Sequence, residues 1–146
     1  MSGVIGGAGS RSGIIGQTEL DYEEGSWTPT PGTGSFGSYG FNYYRKIGGW
    51  CVVGTSISNI TGGMGVITGL PFATNPAGSS YEGTSGSVMM NQVNTPSGTS
   101  NVTCYIYNNA IYIYATVDDS SWQQMTSSHV ANNDDMILSA YYFAEN

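Results

Sequence analysis

The sequence predicts an all-β protein: an antiparallel β-sandwich or jelly roll carried behind an extended N-terminal arm. Three observations point there. Glycine makes up 22 of 146 residues and tyrosine 11. Charged residues are only 9%, far below the roughly 25% usual for soluble domains, so the chain solvates itself with hydroxyls and amides. About seven short apolar runs alternate with clusters of Gly, Pro, Asn and Ser, the pattern of strands joined by turns. No segment sustains the 3.6-residue periodicity of a helix. Aromatic residues at 12% argue against disorder, and the length suits one domain with a single core.

The first 25 residues stand apart. The string SGVIG at residues 2–6 recurs as SGIIG at residues 12–16. Glycine at this density cannot hold a helix, and apolar runs of two residues are too short for a secretory signal. Met1-Ser2 offers no glycine for myristoylation. The segment reads either as a disordered tail or as an extended arm whose Val4, Ile5, Arg11, Ile14 and Ile15 anchor it to another protein. Residues 17–25 hold four of the ten acidic residues and read as a hinge. The β-domain is then residues 26–146.

Within that domain, SWTP at residues 26–29 reads as a short first strand stopped by proline. Residues 31–40 are turn-rich and form a loop. FNYYRKI at residues 41–47 and WCVVGTSI at residues 50–57, separated by Gly48-Gly49, make a hairpin. Residues 66–72 give a short strand ended by Pro71, residues 86–93 and 136–143 give two more, and residues 94–101 are a loop.

Residues 103–114 (TCYIYNNAIYIY) fix a register. Asn108-Asn109 suits a two-residue turn, because asparagine tolerates positive φ better than most residues. Tyr107 then faces Ala110, Ile106 faces Ile111, Tyr105 faces Tyr112, and Cys104 faces Ile113. One face carries Cys104, Ile106, Ile111 and Ile113, and the other Tyr105, Tyr107, Tyr112 and Tyr114. The tyrosine face reads as core or subunit interface, with a receptor platform as the alternative.

The net charge of −7 rests on three basic residues, Arg11, Arg45 and Lys46. That excludes the basic footprint a nucleic-acid binder needs, and its sign opposes binding to anionic membranes. No apolar run approaches the roughly 18 residues of a spanning helix. Cys51 and Cys104 sit in apolar strands and read as small buried hydrophobes, with a disulfide the less favoured alternative. His129 is the sole histidine, so one chain cannot build a multi-histidine metal site. Asp118-Asp119 and Asp134-Asp135 lack calcium-loop spacing and read as solvated turn carboxylates. Gly83-Thr84-Ser85-Gly86 is one residue short of a nucleophile elbow. No catalytic residue, metal or cofactor is assigned.

Three strings carry a family resemblance: DYEEGSWTP at residues 21–29, YRKIG at residues 44–48 followed by an apolar strand, and ITGLPF at residues 67–72. In this order and spacing they resemble tailed-bacteriophage virion proteins, which form tail-fibre tips, head fibres and capsid decorations. The family commonly carries threonine where this chain has Ser26. The resemblance implies a non-enzymatic, homotrimeric β-sandwich on the virion surface, made in the host cytoplasm. The short segment ahead of Trp27, in place of a long fibre shaft, favours a decoration protein or short head fibre. Its arm would seat on the major capsid protein or another virion protein. The alternatives are a tail-fibre tip that recognises a host-surface glycan or protein and, more distantly, a polysaccharide depolymerase.

Overall fold

The computed structural model describes residues 21–75, 84–130 and 132–145, which contain β-strands and no helix. The strands are β1 (Tyr22–Gly25), β2 (Thr30–Pro31), β3 (Ser38–Ile47), β4 (Trp50–Thr61), β5 (Val66–Thr68), β6 (Thr84–Asn91), β7 (Thr99–Tyr107), β8 (Ala110–Val117), β9 (Gln123–Gln124) and β10 (Asn132–Phe143). They pair antiparallel along one path, β1-β3-β4-β10-β6-β7-β8-β5-β2, with β9 on the edge of β8 that β5 also uses.

The all-β, antiparallel expectation holds, but the strands form one continuous sheet rather than two separate ones. One face of that sheet is buried along its length. It contributes Cys51, Val53, Ile57 and Ile60 from β4, and Met136, Leu138, Ala140 and Tyr142 from β10. Cys104 and Ile106 from β7 and Ile111, Ile113 and Ala115 from β8 join the same cluster. A sheet with one buried face and no covering helix must curl over itself. Its bulges allow this: register shifts fall between Tyr39 and Phe41 in β3, at two points near the start of β10, and between Thr99 and Asn101 in β7. Beyond the last strand of the path, Ser35 bridges back to Thr61 at the end of β4. The two halves of the sheet therefore meet across a shared core.

The tyrosine hairpin forms in the expected register, with Tyr105 opposite Tyr112 and Ile106 opposite Ile111. Asn108 and Asn109 both take positive φ, 46° and 61°, which matches the twist of the two strands they join. Cys104, Ile106, Ile111 and Ile113 are fully buried. Both cysteines are free thiols.

The start of the domain differs from expectation. Tyr22–Gly25, read as the end of an acidic hinge, is β1, because Glu23 and Glu24 lie directly opposite Lys46 and Arg45 on β3. Opposite charges across strands favour pairing where acidic residues alone favour solvent. Trp27 lies between β1 and β2 rather than in a strand. Its indole is buried, and its Nε1–H donates to the Gly54 carbonyl at 3.1 Å. The repeats at residues 2–16, with Val4, Ile5, Arg11, Ile14 and Ile15, lie outside the described residues.

Candidate interaction surfaces

The three strings behind the family resemblance converge on one corner of the molecule. β1 and β3 pair there, and the segment after β5 packs onto them. Lys46 is buried at 5% exposure, with its ammonium 2.9 Å from Asp21 and 5.4 Å from the centre of the Phe72 ring. Tyr44 meets Phe72 edge to face at 5.3 Å and donates its hydroxyl to Glu23 at 2.7 Å. Two glycines make the fit possible. A Cβ on Gly25 would lie 2.9 Å from the Tyr44 ring, and Gly69 has φ of +85° and sits directly against the Thr28 carbonyl. The residue types of these strings therefore answer to one another. Their first role is to fasten the domain entrance to the sheet.

The outer face of the sheet presents the less expected feature. On β3, β4, β10 and β6 it is aromatic and aliphatic in successive cross-strand rows. Ile47 pairs with Trp50, which pairs with Phe143. Arg45 pairs with Val52, which pairs with Tyr141. Phe41 pairs with Ser56, which leads through Ile137 to Met89. Trp50 packs on Phe143 at 4.2 Å and on Tyr141 at 5.5 Å, and Phe41 stacks on Tyr43 at 5.6 Å. Yet Phe41, Tyr43, Trp50, Tyr141 and Phe143 each remain 41–47% exposed. None of these residues was singled out from sequence. The signal was present, since β3, β4 and β10 are apolar at both odd and even positions. Apolar runs of this kind are typical of strands covered on both faces.

Farther along the same face lie Tyr105, Tyr107, Tyr112 and Tyr114, all half-buried. Tyr105 stacks on Tyr107 at 6.2 Å and meets Tyr114 edge to face at 6.1 Å. Beside this pair is a hollow of about 380 Å³ whose lip is Trp122.

The other candidates take structural places. His129 closes a tight turn, its Nδ1 accepting the Thr126 N–H at 3.0 Å. That fixes the neutral ring's proton on Nε2. Asp135 accepts the Asn59 N–H at 3.2 Å and the Asn91 amide at 3.4 Å, and Asp119 holds positive φ in a turn. Burial pushes the Cys104 thiol from 9.0 up to about 11, and raises the Cys51 thiol as well, the opposite of what a nucleophilic cysteine needs. Among the described residues no three of His, Cys, Asp and Glu gather in a metal-binding group. Compared with protein-family models, with curated proteins and with solved structures, the chain finds no match in any of the three.

Proposed function

We propose that this chain is a non-enzymatic structural protein of a tailed-bacteriophage particle, a capsid decoration protein or short head fibre that assembles as a homotrimer. The observation that carries the reading is the packed corner. Strings far apart in sequence resemble one family, and here they serve each other through the Asp21–Lys46 ion pair, the Tyr44–Phe72 contact and the close approach of Gly69 to Thr28. The bare aromatic rows on β3, β4 and β10 supply the subunit contact. Each copy offers its patch to the next, and a heterologous contact of this kind closes as a ring when the rotation fits. Aromatic side chains at such a contact contribute large area at low entropic cost.

The arm at residues 2–16 serves as the anchor, its Val4-Ile5 and Ile14-Ile15 pairs seating in apolar grooves of the major capsid protein or another virion protein. Three arms per trimer multiply a weak contact. Deletion of residues 2–16 is expected to leave a folded trimer that no longer sediments with particles. Retained sedimentation of the truncated protein sinks the anchoring role. Imaging of particles that carry the protein decides between head and tail. The tail-tip reading has its own support in the exposed Trp122 beside the tyrosine face, and density at the fibre ends would favour it.

A further inference from the structure

The hollow beside the tyrosine face has the chemistry of a small-molecule site. We infer that it binds an uncharged saccharide, one ring of which stacks on Trp122. Its volume of about 380 Å³ falls within the range of roughly 300–1,000 Å³ typical of ligand pockets. Tyr105 and Tyr114 line it with aromatic surface, Trp122 overhangs it, and Ser85, Thr103 and Thr116 add hydroxyls. No charged side chain is among the described residues that line it. An anionic ligand would meet no cation here, on a chain whose net charge is −7. A quaternary ammonium would be served by the rings but not by three hydroxyls. Flat aromatic faces together with hydroxyl donors and acceptors match a sugar ring, which is apolar on its C–H faces and polar at its rim.

Trp122 is 77% exposed, and the backbone that follows it is pinned. Gln123 and Gln124 pair with Ala115 and Tyr114 as β9, the Met125 N–H donates to the Ile113 carbonyl at 2.8 Å, and the Gln124 amide donates to the Gly65 carbonyl at 3.1 Å. Met125 is fully buried beneath. The anchored strand therefore fixes the backbone from which the indole reaches the hollow, so the freedom lost on binding is confined to that side chain. Thr103 already donates its hydroxyl to the Gly86 carbonyl at 2.8 Å, so that oxygen is left to accept from a ligand. The hollow adjoins the proposed subunit contact without sharing its rings: β6 alone lies between β10 and β7, and it gives Ser85 to the lining.

The test uses the purified full-length chain and no particles, so it fails or succeeds apart from the virion assignment. The chain is applied to an array of uncharged hexose and N-acetylhexosamine oligosaccharides, with sialylated, sulfated and choline-bearing glycans as comparators. Binding to one or more neutral oligosaccharides is expected. Trp122→Ala should weaken it by at least about tenfold, with the melting temperature and oligomer mass unchanged. Thr116→Val should weaken it by a smaller factor. Absence of binding to every neutral oligosaccharide, a preference for the charged glycans, or undiminished binding by Trp122→Ala each overturns the proposal.

Discussion

The outer face of the sheet has two aromatic regions, and they are built to different ends. On β3, β4 and β10, Trp50 lies against Tyr141 and Phe143 with no chain crossing above them among the described residues. On β7 and β8, Tyr105 and Tyr114 are half-buried beside Trp122, with threonine and serine hydroxyls between the rings. Both regions rest on the same core, since Cys51 and Val53 lie beneath the first and Cys104 and Ile113 beneath the second. Ring content therefore does not separate them. What separates them is the polar lining: a face of rings and aliphatics suits another protein, and a ringed hollow set with hydroxyls suits a hydrated small ligand.

The largest expected effect falls on assembly. Trp50→Ser with Phe143→Ser should convert the proposed trimer, three times the 15.4 kDa chain, to monomer by light scattering. The monomer should still fold cooperatively, because both side chains are about half exposed, but melt below the trimer, which assembly stabilises by mass action. Tyr112→Ala on the other region should leave the mass alone. A wild-type mass near one chain across micromolar concentrations removes the trimer, and loss of assembly in Tyr112→Ala instead exchanges the roles of the two regions.

Next in size is the core beneath the tyrosine face. Ile111 is fully buried opposite Ile106, and Ile111→Ala should cost about 2–5 kcal/mol through lost burial and the cavity left behind. Tyr112→Ala removes a half-exposed cross-strand partner of Tyr105 and should cost about 1 kcal/mol. Chemical denaturation of both variants checks the order. Reversed costs would mean that the tyrosines, not the isoleucines, hold the subunit together.

The tyrosine hairpin of the second region was readable in the sequence; Trp122, its hollow and the first region were not, for a physical reason. In residues 103–114 the turn and the alternation lie within one hairpin, so local chemistry sets the register. The aromatic rows depend on β10 pairing with β4 from the far end of the chain and with β6 on its other side. No local rule places those three strands side by side. Tyr22–Gly25 went unread as a strand because its glutamates look solvated until Arg45 and Lys46 are brought opposite. The glycines of the family strings became intelligible only with Tyr44 and the Thr28 carbonyl beside them.

Alkaline pH probes the thiols under the two regions. The Cys104 thiol rises to about 11 in the fold through burial, and burial also raises Cys51 and Tyr142. A raised folded value means that the native state holds its proton while the unfolded chain releases it. The Cys104 contribution is whole below about pH 9 and is lost as pH climbs toward 11, at about 1.4 kcal/mol per pH unit, whereas that of Tyr142 starts to be lost only above pH 10. Melting temperature should therefore fall across pH 9–11, and Cys104→Ala should flatten that fall relative to wild type. An identical slope in the variant would show that Cys104 does not carry the effect.

Small effects belong to the two ion pairs that fasten β1 beside the aromatic patch, the smallest of all to the more exposed one. Glu24 and Arg45 are 57% and 66% exposed and 3.5 Å apart. A surface pair of this kind contributes about 0–1 kcal/mol, and salt screens it. Asp21 is equally exposed, but its partner Lys46 is not: its side chain is 6% exposed, with the ammonium 2.9 Å from the carboxylate and the Phe72 ring on another side. Asp21→Asn keeps an acceptor there and removes the charge, leaving a buried cation without its counter-ion. The expected cost is about 1–2 kcal/mol, less than for a fully buried pair because Asp21 stays in water. Glu24→Gln should fall within about 0.5 kcal/mol of wild type and converge on it in high salt, while the Asp21→Asn deficit should persist. Equal costs for the two variants would mean that Lys46 does not depend on Asp21, and that β1 is held by its backbone pairing with β3 alone.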